Sequence, residues 1–163
     1  MDTTTRERMT GGTAIVRSLI AQSTDTLFRM PGVQLDGLFN ALYDHRNQLR
    51  TINARHEQGV AYMAYGYAYS TGRPGVFAVV PGPGILNAAA GLATAYGSNQ
   101  PVLAITGQIP SATIGRGLGI LHEIPDQLGM MRGLSKWAKR IEHPTTAPGL
   151  VTDGSPKLGR SCR

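Results

Sequence analysis

Leu49-Arg50-Thr51-Ile52-Asn53-Ala54-Arg55-His56-Glu57-Gln58-Gly59 is the stretch from which the fold is read. Its first half, Leu49 to Asn53, is a short β-like run. Its second half leads into a helix of small residues, Gly59 to Tyr69. Glu57 therefore sits where a strand gives way to a helix, and in open α/β sheets that edge is where ligands bind. Glu57 is the candidate acid/base residue of the chain.

Working outward, strand-like and helix-like segments alternate. Thr10 to Ala21 predicts a helix with Thr10 as its cap and Ala14, Ile15, Leu19 and Ile20 on its buried side. Asp25 to Met30 predicts a strand ended by the Pro31-Gly32 turn. Leu35, Leu38, Phe39 and Leu42 space as a second amphipathic helix, with Asp36 in its first turn. Val76 to Val80 is continuously apolar, as expected of a parallel strand covered on both faces, and it ends in Pro81-Gly82-Pro83-Gly84. Ile85 to Tyr96 is apolar nearly all round, so it predicts burial by the sheet on one side and by a second domain or subunit on the other. Val102 to Ile105 is the next strand, Asp126 to Met131 a short helix and Ser135 to Ile141 a final strand. The pattern predicts an α/β fold of three αβα layers around a mainly parallel sheet, flavodoxin-like in outline. Residues 1–9 and 144–163 lack periodicity and are expected to be disordered.

Composition narrows the function classes. The 163 residues suit one domain with a sizeable core. Their 16 Lys and Arg against 10 Asp and Glu give a net charge of +6. That excess is local: residues 132–163 carry 7 basic against 2 acidic groups, residues 1–131 carry 9 against 8. No basic stripe interleaves with aromatics, so no nucleic-acid partner is expected. No apolar run reaches the length of a membrane span and no signal segment opens the chain, so a cytoplasmic setting without membrane contact is the expectation. A single cysteine, Cys162, rules out an internal disulfide framework and a cysteine metal site, and no metal site is expected elsewhere.

Four motifs stand in one register: Arg55 to Ala64, Gly72-Arg73-Pro74-Gly75-Val76, Pro81-Gly82-Pro83-Gly84 and Ile105-Thr106-Gly107-Gln108. Together, over residues 10–143, they resemble the N-terminal pyrimidine-binding domain of thiamine-diphosphate enzymes of the acetolactate synthase type. The resemblance implies thiamine diphosphate as cofactor and decarboxylation of a 2-keto acid, with transfer of the two-carbon unit. A glutamate at the position of Glu57 hydrogen-bonds N1′ of the aminopyrimidine and promotes the imino tautomer that deprotonates the thiazolium C2. Pro31 and Gly32 match the turn beside the pyrimidine. Pro81, Gly82 and Asn87 match the turn and helix start on its other side. Gln108, His122 and Glu123 fall on the substrate side. Two residues depart from the pattern: Arg29 stands where the family usually has Gly, and His122 where acetolactate synthases carry Gln.

The resemblance also implies what these residues do not supply. The diphosphate and its magnesium are bound by another domain, and a central domain often binds FAD. The site forms between one chain's pyrimidine domain and another chain's diphosphate domain, so a homodimer or a partner chain is implied. These residues then read as a truncated, inactive half-site. Two alternatives stay open: a stand-alone pyrimidine-domain subunit of a split decarboxylase, and an unrelated nucleotide-binding flavodoxin-like domain. Weighed alone, a Glu at a helix start is a cap or dipole partner, and Arg55 is expected to pair with Asp36 or Glu123. The Pro81 to Gly84 loop reads as a tight turn rather than a phosphate cradle, because Pro83 lacks an N–H.

Overall fold

The structure, a computed structural model, describes residues 8–155. In chain order its elements are α1 (Gly11–Ala21), β1 (Thr26–Arg29), α2 (Asp36–Asp44), β2 (Arg50–Asn53), α3 (Glu57–Thr71), β3 (Gly75–Val79), α4 (Pro83–Gly97), β4 (Val102–Thr106), α5 (Gln127–Leu134) and α6 (Ala147–Gly154). Short 3-10 turns cover Ser111–Thr113 and Pro144–Thr146.

The four strands are all parallel, in the order β2-β1-β3-β4. Alternate side chains feed two cores, as strand geometry requires. Leu27, Val76 and Ala78 face α1, α2 and α6 through Leu19, Leu42 and Val151. Phe28, Phe77 and Val79 face α3, α4 and α5 through Ala64, Ile85 and Met131. This is the three-layer αβα arrangement read from the sequence. β3 is buried along its whole length, which is why its sequence shows no alternation.

α3 and α4 pack closely. A side chain at Gly91 would bring its Cβ within 2.6 Å of the Ala61 Cβ, so only glycine permits this approach. The contact brings the N-terminal parts of the two helices, with Glu57 and Asn87, side by side. The sheet covers only one face of α4. Its outer face leaves Leu86, Ala90 and Ala93 exposed, and Tyr62 of α3 bonds Thr94 of α4 through its hydroxyl.

Two expectations are corrected. Ser135 to Ile141 forms no strand. The Ser135 hydroxyl donates to the carbonyls of Met131 and Trp137, and the Trp137 ring lies over Gly154 of α6. The segment thus runs beside β4 without joining its ladder. Residues 144–154, expected to be disordered, are helical. Ala147 and Val151, four residues apart, are buried, and α6 packs against α1. Proline in a helix's first turn, as at Pro148, marks a helix start and not a break. Residues 1–7 and 156–163, including Cys162, lie outside the described residues.

Candidate functional site

The functional candidates sit on loops at the C-terminal ends of the parallel strands. Glu57 is the first residue of α3, four positions beyond β2. His56 is extended and caps the helix, its Nδ1 accepting from the Gln58 N–H at 3.2 Å. That cap fixes where the helix begins and hence where the Glu57 carboxylate lies. The carboxylate is half-buried. Its Oε2 accepts from Asn87 Nδ2 at 3.0 Å, and its Oε1 has no hydrogen-bond partner among the described residues.

The wall beside Glu57 is made of glycine and Val80. Added Cβ atoms at Gly32 and at Gly84 would each come within 2.5 Å of a Val80 methyl, and that at Gly84 within 3.6 Å of Glu57 Oε1. The Pro31-Gly32 turn, the end of β3 and the start of α4 therefore close on one valine, with the carboxylate alongside. Gly82 has φ +61, a region that disfavours any side chain, and caps α4 with Pro83 as the first helical residue. Its N–H donates to Oε1 of buried Gln127, whose Nε2 donates to the Gly107 carbonyl. Gln127 thus ties the loop after β3 to the loop after β4.

His122 reaches the same rim. Its backbone carbonyl and Cα stand within 2.6 and 2.8 Å of where a Gly82 Cβ would be, and its Nδ1 lies 2.8 Å from Gln34 Oε1. The other two substrate-side candidates are turned to local duties. Gln108 Oε1 accepts from the neighbouring Ile109 N–H, and Glu123 Oε2 from the Ile120 N–H. Arg55 pairs with neither Asp36 nor Glu123.

Arg29, at the end of β1, points away from Glu57. Its guanidinium lies 5.2 Å from the Phe39 ring centre on α2. Burial pushes its pKa below the usual arginine value, and its Nε has no hydrogen-bond partner. The only other buried side-chain polar atom among the described residues without a partner is Thr106 Oγ1, at the end of β4.

A cavity of about 600 Å³ runs along β4, lined by Leu103, Ile105, Gln108, Gln127 and Trp137 among others. It does not include Glu57 or Asn87. It exists because β4 is the sheet edge and the Ser135–Ile141 segment stands off it, so its volume says nothing against the rim as the functional site.

Sequence reasoning did not find Gln34, Val80 or Gln127. Gln127 and Gln34 act through bonds to residues 45 and 88 positions away, for which one sequence carries no signal. Val80 reads only as the last residue of an apolar strand.

Comparison with known proteins resolves the family. The family described as thiamine pyrophosphate enzyme, N-terminal TPP binding domain, matches residues 9–130. The chain belongs to this family. A protein of Pseudomonas aeruginosa named "probable 2-ketoarginine decarboxylase" is 37% identical over 146 residues, 90% of this chain and 26% of that protein. A "probable acetolactate synthase large subunit" of Methanocaldococcus jannaschii is 38% identical over 140 residues, 86% of this chain and 23% of that protein. An acetolactate synthase of Arthrospira platensis is 36% identical over 149 residues, 90% of this chain and 25% of that protein. The chain spans about a quarter of the length of these curated relatives.

The TPP-binding assignment agrees with the rim's chemistry. One carboxylate oxygen of Glu57 has no hydrogen-bond partner among the described residues, and it lies beside glycines packed against Val80. Among the described residues no cluster of three or more His, Cys, Asp or Glu could hold a metal, and no helix is long and apolar enough to cross a membrane.

Proposed function

We propose that this TPP-binding domain supplies the pyrimidine half of a thiamine diphosphate site in an enzyme that decarboxylates a 2-keto acid and transfers the two-carbon unit. The observation that carries the reading is the free Oε1 of Glu57, at a strand exit, with Oε2 fixed by Asn87. When bound, the cofactor supplies the electron sink for decarboxylation. The protein's part is to hold a proton at one atom. Glu57 Oε1 would share a proton with a ring nitrogen, donating it to the neutral ring and accepting the hydrogen bond once that nitrogen is protonated; Asn87 keeps the carboxylate from rotating, and Pro31, Gly32, Pro81 and Gly82 would let the backbone approach the ring from both sides. His122 lies on the substrate side of the rim. Gln108 and Glu123 act there through the loop turns they stabilise. The diphosphate, its magnesium and any FAD belong to domains outside these 163 residues.

The exposed Tyr62, Leu86 and Tyr96 on α3 and α4 support a partner surface there. A copy of the same chain or a separate chain with the diphosphate domain would cover it and complete the site. This favours a domain that works in a pair over an independent nucleotide-binding domain.

The test is reconstitution. The chain alone is expected to show no 2-keto acid decarboxylation. Mixed with the diphosphate-binding portion of an acetolactate synthase relative, thiamine diphosphate and Mg²⁺, it is expected to gain thermal stability and turnover. Glu57→Gln is expected to lower that turnover by about a hundredfold or more, as removal of an acid/base group does. Full turnover by Glu57→Gln in a folded, reconstituted pair would overturn the assignment.

A further inference from the structure

His122 and Gln34 face each other across the rim, and the hydrogen bonds around them fix more than position. The Gln34 side-chain nitrogen donates to the Leu121 carbonyl at 3.2 Å. A carbonyl can only accept, so the amide must turn its nitrogen to Leu121 and its oxygen to the His122 ring. That oxygen, 2.8 Å from Nδ1, also only accepts, so Nδ1 must carry the hydrogen. A neutral imidazole has one N–H, which leaves Nε2 with a lone pair. Nε2 has no hydrogen-bond partner among the described residues.

The backbone shows that the pair is built rather than incidental. Gln34 and His122 both have positive φ, 67° and 70°, a conformation that disfavours residues with a Cβ. The His122 backbone stands against Gly82, and the Gln34 carbonyl lies 3.0 Å from where a Gly107 Cβ would be. Loops after β1, β3 and β4 thus hold the two side chains against each other.

We propose that Gln34 is a positioning residue that locks His122 in its Nδ1–H tautomer, so that Nε2 is presented as a proton acceptor on the rim. The use of that acceptor rests on the reading of the rim as the cofactor mouth; the tautomer does not. A glutamine in the place of His122 would offer both a donor and an acceptor. A locked histidine offers only an acceptor, which selects a substrate whose side chain brings an O–H or N–H to this point.

The experiment is long-range ¹H–¹⁵N correlation NMR of the full 15N-labelled chain at about pH 8.5, above the usual histidine titration. The His122 signals are assigned by their loss in His122→Gln. The wild type is expected to show a protonated, pyrrole-type Nδ1 and a pyridine-type Nε2. Gln34→Leu is expected to shift the ring toward the Nε2–H form. Gln34→Glu keeps the acceptor oxygen and is expected to restore the Nδ1–H pattern. An Nε2–H signature in the wild type, or a pattern unchanged in folded Gln34→Leu, would overturn the proposal. If Gln34→Leu does not fold, the wild-type spectrum decides alone. An Nε2–H ring in a chain that still reconstitutes a thiamine diphosphate site sinks this inference but not the functional reading. An Nδ1–H ring in a chain that fails to reconstitute does the reverse.

Discussion

The two ends of the sheet use polar groups in opposite ways. At the N-terminal end, Asp25 is saturated. It accepts from the Tyr67 hydroxyl and from Arg73, whose guanidinium also donates to the Ser23 carbonyl. At the C-terminal end, polar capacity is left unspent: one oxygen of Glu57, Nε of Arg29, Oγ1 of Thr106 and Nε2 of His122. Of these, Arg29 Nε and Thr106 Oγ1 are buried, and a buried polar atom without a partner costs stability. The saturated end stabilises the fold, and the unsaturated end is the one proposed above to take a ligand.

The largest effect is expected where the ligand end is also rigid. Gly82→Ala forces a Cβ against the His122 backbone at positive φ, and overpacking together with backbone strain is expected to cost about 3 kcal/mol. A urea titration measures it, and a loss below about 1 kcal/mol would mean that the rim yields to accommodate side chains.

At the saturated end, Tyr67→Phe removes the hydroxyl that reaches Asp25 at 2.7 Å, and a loss of about 1 kcal/mol is expected by the same titration. The pH dependence sharpens this. The Tyr67 hydroxyl first, and then Arg73, hold the Asp25 carboxyl below its ordinary value of 3.8 against the opposing effect of burial. Because the folded-state pKa is depressed, the stabilisation is fully present above 3.8 and disappears as pH falls through the folded-state value. The advantage of wild type over Asp25→Asn in urea midpoint is therefore expected at neutral pH and is expected to vanish in that acid window. A constant difference down to the lowest pH would remove the saturated end from the comparison.

Arg29→Met is expected to be neutral or stabilising by up to about 1 kcal/mol. It removes a buried Nε without a partner and keeps an apolar stem against Phe39, at the loss of the cation–π contact. A clear destabilisation would show that the guanidinium is satisfied in solution and that the ligand end is less open than it looks. The smallest effect is Glu57→Gln in the isolated chain, expected within about 0.5 kcal/mol of wild type although turnover in the reconstituted pair collapses. Equal losses of stability and activity would make Glu57 a structural residue.

Much of this was legible beforehand. Glu57 at a strand exit, the two proline-glycine turns and the continuous apolar run of β3 are local signals, and each sits where it was read. The apolar character of α4 was legible too, and Leu86 and Tyr96 stand exposed on it. Ser135 to Ile141 was misread as a final strand, whereas Trp137 packs against Gly154 of α6 and the segment pairs with no strand. The α6 helix was missed because only Ala147 and Val151 mark its buried side, too few to show periodicity.

The sequence by itself determined the parallel αβα architecture and the placing of Glu57 at a strand-to-helix junction. These follow from periodicity and turn chemistry, which act over a few neighbouring residues. Only the tertiary structure decided that Asn87 holds Glu57, that Gln127 links two loops and that Gln34 faces His122. Those pairings depend on how loops from different strands meet above the sheet. A hydrogen bond between residues 30 to 88 positions apart leaves no pattern in the chain between them.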